Sequence, residues 1–219
     1  MVHLLIRREE EGSNTDYLAR RRSLNSHMNT PKSVQSYAAQ FAQISQETVL
    51  STGLRLMVSL DDYKCHLGVF DNNLLISYVS LHKREPYWQV LMQCTHADYQ
   101  GQGYVRKSIE TAIQMFGCVI SLRAQTPEDQ LTWRALILRP NLYVYYLLNL
   151  HTTERTPFRV SAKTIEPNPW DETDCTVILA CDRQLTESSM RRMMIRHLID
   201  QARGRPDRWL GPGFTEFNP

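Results

Sequence analysis

Four short apolar runs in close succession constrain this chain more than any other feature: "LRLMVSL" (54–60), "CHLGVF" (65–70), "LLISYVSLH" (74–82) and "YWQVLMQCTH" (87–96). Each is rich in Val, Ile, Leu and aromatic residues, the composition of a strand. Asp71, Asn72 and Asn73 join the second run to the third. Asp and Asn tolerate left-handed backbone, so this is a tight hairpin signal. Lys83 to Pro86 makes a further turn, and the run after it is long enough to cross a sheet. The spacing predicts an antiparallel meander.

The stretch "THADYQGQGYVRKSIETAIQMFG", Thr95 to Gly117, follows. Its apolar residues Val105, Ile109, Ala112, Ile113 and Phe116 fall on one helical face behind Gly101 and Gly103. "CVISLRA" (118–124) then reads as another strand. A strand, a crossover helix and a strand in one sheet imply a locally parallel pair. Thr126 as cap, Pro127 at the first helical position and Glu128 with Asp129 in the first turn predict a second helix. "NLYVYYLLNLH", "FRVSAKTI" and "DCTVILACD" read as strands, although Leu142, Tyr145, Tyr146 and Asn149 also suit a helix. Upstream, Val34, Tyr37, Ala38, Phe41, Ile44 and Val49 have helical spacing behind Ser33. The expected organisation is a polar arm over 1–32, a folded domain over 33–182, and a basic helix with an irregular tail over 183–219.

Composition narrows the class. An apolar fraction of 42% and a charged fraction of 22% are those of an ordinary globular chain, and a net charge of +2 gives no footprint for nucleic acid. Cys65, Cys94, Cys118, Cys175 and Cys181 form no Cys-x-x-Cys pair, and four sit in apolar runs. They read as reduced thiols in a reducing compartment, so a cytoplasmic location is expected. The N-terminus lacks a signal-peptide pattern, and no run approaches the roughly 20 apolar residues of a transmembrane helix. The histidines show no ligand spacing, so no metal is expected. The Arg20–Arg22 triplet of the arm and the basic terminal helix (Arg191, Arg192, Arg196) are possible surfaces for a protein partner.

Glycines at 101 and 103 let the chain turn tightly, and a helix start offers unpaired N–H groups with a favourable dipole to a phosphate. In that context the order of elements, with "ADYQG" and Gln100-x-x-Gly103-x-Val105, resembles the GNAT superfamily of acyl-CoA-dependent N-acetyltransferases over roughly Val34 to Leu138. Val105 departs from the family's usual Gly or Ala. The resemblance implies an α/β fold of the α+β type, with a mixed, mostly antiparallel central sheet and helices on both faces. It implies acetyl-CoA as acyl donor and an amine as acceptor, which could be a small molecule, a protein lysine or an N-terminus.

On the same basis the backbone N–H groups of Gln102, Gly103, Val105 and Arg106 would hold the pyrophosphate, with Gln100 and Gly101 in the same cofactor-binding turn. Arg106 and Lys107 are candidates for outer phosphates, and Thr95 falls where the fourth family strand offers backbone to the pantetheine arm. The family's usual base position aligns with Gln89, which cannot take a proton. His96, with an unperturbed pKa near 6.5, is the candidate base, and Tyr143 is the candidate acid among Tyr143, Tyr145 and Tyr146. The alternative is a GNAT-like module without catalysis that acts through protein partners.

Overall fold

The computed structural model of the 219-residue chain describes residues 34–122, 125–138, 143–161, 164–170 and 176–183. The N-terminal arm, Cys175 and the terminal helix with its arginines lie outside them.

Strands β1 (Gln46–Val49), β2 (Arg55–Leu60), β3 (Lys64–Asp71), β4 (Leu74–Arg84) and β5 (Tyr87–Thr95) form the meander, each antiparallel to its predecessor. Asn72, at φ 54°, makes the β3–β4 turn in the left-handed conformation. Helix α1 (Tyr104–Phe116), β6 (Cys118–Ile120), α2 (Pro127–Ile137) and β7 (Tyr143–Asn149) follow. After them come β8 (Arg155–Pro157), β9 (Arg159–Val160), β10 (Ile165–Glu166) and β11 (Thr176–Asp182). The main sheet has the order β1-β2-β3-β4-β5-β6-β11-β7-β8, with β9 and β10 as a separate ribbon. Only β5 and β6 pair in parallel among the described strands. The expected mixed, mostly antiparallel sheet is what the chain forms.

One expectation is corrected. The helix read from Ser33 through Val49 gives way to a 3-10 turn at Ala38–Phe41 and then to β1. Gln46 to Val49 pair with Val58 to Arg55, so tertiary pairing of a segment ending in β-branched Thr48 and Val49 overrides the helical spacing. The ambiguous segment at 143–149 is a strand, and its alternation shows why: Tyr143 and Tyr145 join one core, while Tyr146 and Leu148 join another on the opposite face.

Three apolar clusters define the layers. On one face, Ile109, Ala112 and Ile113 of α1 and Trp133, Leu136 and Ile137 of α2 pack with sheet residues such as Leu67 and Val79. On the other, Val34 and Phe41 cover Phe70, Leu75 and Tyr78. Farther along that second face, Tyr87, Cys118, Leu179 and Cys181 form a third cluster. Both described α-helices therefore lie on one face, and the short helical segment near Phe41 lies on the other. Cys65, Cys94, Cys118 and Cys181 are free and buried. Burial pushes the thiols of Cys65 and Cys94 up to about 12.

Where the sheet changes from antiparallel to parallel, it opens. β5 and β6 are joined only at Trp88 with Val119 and Gln89 with Ile120. β6 then ends, while β5 runs on to Thr95. Among the described residues no strand pairs with that edge of β5 beyond Gln89.

Candidate functional site

The opening between β5 and β6 is lined by Val90, Gln93, Leu122, Gln125, Asp129 and Trp133. A bulge decides which β5 side chains face it. Leu81 pairs with Val90 and Ser80 with Met92, leaving Leu91 without a partner on β4. Alternation is thereby reset: Gln93, opposite Val79, faces the helices, and Met92 packs on the other core. Without the extra residue the two would exchange faces.

The opening's polar lining is tied to the start of α2. Asp129 is buried at 3% exposure, and its carboxylate accepts from Thr126 N–H at 3.0 Å while its own N–H donates to Thr126 Oγ1 at 3.3 Å. This is a complete capping box. The same carboxylate accepts from Gln93 Nε2 at 2.6 Å. Gln125 donates to Ser121 Oγ and to the Leu122 carbonyl, and its Oε1 accepts from Trp170 Nε1 at 3.3 Å. Gln93 Oε1 is buried and has no hydrogen-bond partner among the described residues. Such an unmet acceptor costs about 1–3 kcal/mol.

At the far end of β5 lies the glycine turn. Gly101 has φ 75°, and Gly103, the N-cap of α1, has φ 82° with no side-chain cap. The first backbone bond into the helix is from Lys107 N–H to the Gly103 carbonyl, at 3.0 Å. Helical geometry accordingly leaves the N–H groups of Tyr104, Val105 and Arg106 without intrahelical partners at a positive dipole end. The Arg106 guanidinium folds back over the turn, with Nη2 3.0 Å from where a Gly103 Cβ would stand and Nε 3.8 Å from Glu110 Oε1. Val105 packs against the main core, so its bulk is directed inward. Lys107 is exposed. Gln100 Nε2 reaches the Thr95 carbonyl at 3.4 Å, Gln102 accepts from Tyr104 OH at 2.8 Å, and Thr95 Oγ1 bonds Ser77 Oγ at 3.0 Å. The residues expected to hold an acyl-CoA pyrophosphate are thus gathered in one turn at the end of the unpaired edge. That turn lies at one end of the unpaired edge, and the parting of β5 and β6 lies at the other.

The two residues expected to carry proton transfer are not brought together there. His96 is buried and caps the turn Ala97–Tyr99, with Nδ1 accepting from Asp98 N–H at 3.2 Å. Asp98 Oδ2 is 3.6 Å from the same atom. About 20 Å of extended chain separates Val90 from His96, so the ring stands at the glycine-turn end of β5. Tyr143 pairs with Asp182, whose N–H bonds the Gly117 carbonyl just before β6 begins. The opening lies beyond the other end of β6, and the Tyr143 hydroxyl instead donates to the Glu110 carbonyl at 3.4 Å. Gln89 donates to the Ser121 carbonyl at 3.2 Å where the strands part. Opposite it stands His82, which burial, then Lys64, Arg84 and His66, push down to about 4. Gln93, Gln125 and Trp170 escaped the sequence reading; the acidic first turn of α2 was the one local signal, through Asp129.

No family model matches the chain, and no curated protein matches it. Among solved structures, it is similar to the PaiA N-acetyltransferase of Thermoplasma acidophilum in complex with coenzyme A, at 10% identity and a TM-score of 0.34, over 55% of this chain and 61% of that one. It is also similar to the ribosomal-protein-S18-alanine N-acetyltransferase of Escherichia coli, at 10% identity and a TM-score of 0.34, over 58% of this chain and 74% of that one.

Proposed function

We propose that this chain is an acyl-CoA-dependent N-acyltransferase that moves an acetyl group from acetyl-CoA to an amine. The observation that carries the reading is the unpaired edge of β5, which runs from the point where β5 and β6 part to a glycine-capped helix start. An extended donor laid along that edge has its phosphates against the N–H groups of α1 and its thioester where the sheet opens. The amine nitrogen attacks the thioester carbonyl carbon, the C–N bond forms, the C–S bond breaks, and the thiolate takes a proton. Backbone N–H groups of the exposed edge supply donors to the oxyanion. Asp129 is committed to the α2 cap and to Gln93, so in this reading the amine arrives neutral and water takes its proton.

Calorimetry with acetyl-CoA tests the reading. Saturable heat is expected from the wild type. Gly103→Val is expected to remove it, because a β-branched residue at φ 82° is strained by about 1–2 kcal/mol and its Cβ displaces the Arg106 guanidinium. A wild type that binds neither acetyl-CoA, longer acyl-CoA nor free CoA contradicts the proposal.

A second reading, a CoA-binding module without turnover, is favoured by one feature. Gln89 stands where the family resemblance puts a base, and it cannot ionise. Tight binding without acetyl transfer to any of a panel of amines, peptides and polyamines selects that reading.

A further inference from the structure

We infer that Cys118 and Cys181 are an oxidative modification site: a two-electron oxidant of the peroxide class converts the two thiols to a disulfide that ties β6 to β11. The inference is independent of the acyl-CoA reading above and concerns the face of the sheet away from α1.

Cys118 opens β6, and Cys181 lies directly opposite it near the end of β11. The backbone bonds on either side fix the kind of rung they occupy. Asp182 N–H donates to the Gly117 carbonyl and Ser121 N–H to the Ile178 carbonyl, both at 2.9 Å. Hydrogen-bonded rungs alternate with non-hydrogen-bonded ones along an antiparallel pair, so Cys118 and Cys181 share a rung of the second kind. Its Cα atoms stand about 4.5 Å apart, inside the roughly 4.4–6.8 Å that disulfides span. The two side chains share one face, and their Sγ atoms are already 3.0 Å apart. Little backbone movement separates the dithiol from the disulfide.

The surroundings favour this pair over the other described cysteines. Cys65 and Cys94 sit in two different cores, and burial raises both thiols. The hydrogen bond from Cys181 holds the Cys118 thiol below its ordinary value against burial, and the Arg155 guanidinium adds to it. The same hydrogen bond, then burial, pushes Cys181 up. Cys118 is therefore the thiol that ionises and attacks. Both thiols are buried, at 1% exposure, but they stand one rung from the end of the ladder, where Gly117 and Asp182 are half-buried and Arg183 is exposed. Fraying of that last rung admits a molecule as small as hydrogen peroxide. The Cys118 thiolate attacks one peroxide oxygen, the O–O bond breaks, and the departing hydroxide takes up the thiol's proton and leaves as water. Cys181 then attacks the sulfenic sulfur, the S–S bond forms, the S–O bond breaks, and a second water leaves. Two thiols are oxidised and one peroxide is reduced.

The test treats the folded full chain with hydrogen peroxide at neutral pH, alkylates the remaining thiols in denaturant and maps the peptides. The expected result is a Cys118–Cys181 link with a mass lower by about 2 Da, Cys65 and Cys94 alkylated, and both thiols recovered with dithiothreitol. Cys118→Ala and Cys181→Ala, each checked for folding by thermal unfolding, are expected to show no link. A wild type that keeps both thiols, oxidises either without joining them, or joins either to another cysteine overturns the inference. A link that forms only after unfolding in urea overturns it as well.

Discussion

His96 shows how one side chain can be placed for structure where its chemistry suggests catalysis. Its Nδ1 closes the turn Ala97–Tyr99 by accepting from Asp98 N–H, and its backbone N–H bonds the Ile76 carbonyl at 2.8 Å. The ring also packs edge-on against Tyr99, whose hydroxyl donates to Asp71 Oδ2 at 2.9 Å. These contacts tie the glycine turn to the meander, so His96 holds that turn in place. His96→Asn keeps a short acceptor at a capping position. It is expected to retain acetyl-CoA affinity within a few-fold, with a pH–rate profile unchanged in shape. Loss of the roughly 10²–10⁴-fold in turnover that a general base supplies, with affinity intact, assigns the proton transfer to His96 instead. At the same scale, Gly103 shapes the helix start through its left-handed backbone, φ 82°.

At the scale of elements, β4 and β5 carry different chemistry on their two faces. On the face away from α1, His66 Nδ1 bonds Tyr78 OH at 2.7 Å, Tyr37 stacks on Tyr78, and His82 pairs with Lys64 on β3 and Gln89 on β5. The folded pKa of His82, about 4, lies below the ordinary value, through burial first and then Lys64, Arg84 and His66, with Asp61 opposing. The unfolded chain therefore binds the proton more readily. The contribution is fully present above about pH 6.5 and is lost as pH falls toward 4. For a half-exposed ring it amounts to on the order of 1 kcal/mol after solvent screening. Urea unfolding from pH 7 to pH 4 should show the wild type losing more stability than His82→Gln, and equal losses contradict the assignment. The elements differ in how far they can be read from sequence. The Asn72 turn and the Thr126 capping box were legible because their chemistry is local. β1 was not, since its strand state comes from pairing with β2. Gln93 was illegible for two reasons: Asp129 is distant in sequence, and the bulge at Leu91 reverses the face that simple alternation assigns.

Across the whole molecule, the sheet supplies a rigid frame that opens at one place. The strands on either side of the opening are fixed by separate packing: β5 by the antiparallel meander, and β6 by its antiparallel pairing with β11. α1 packs on the sheet through Ile109, Ala112 and Ile113, and α2 brings Asp129 to Gln93 of β5. The proposed course of an acyl-CoA along that edge is read by amide hydrogen exchange with and without acetyl-CoA. Added protection is predicted in two segments, Val90 to Thr95 and Gly101 to Arg106, with β1, β2 and β3 unchanged. Binding that leaves both segments unprotected, or that protects the β1 edge or the His66–Tyr78 face instead, contradicts the account.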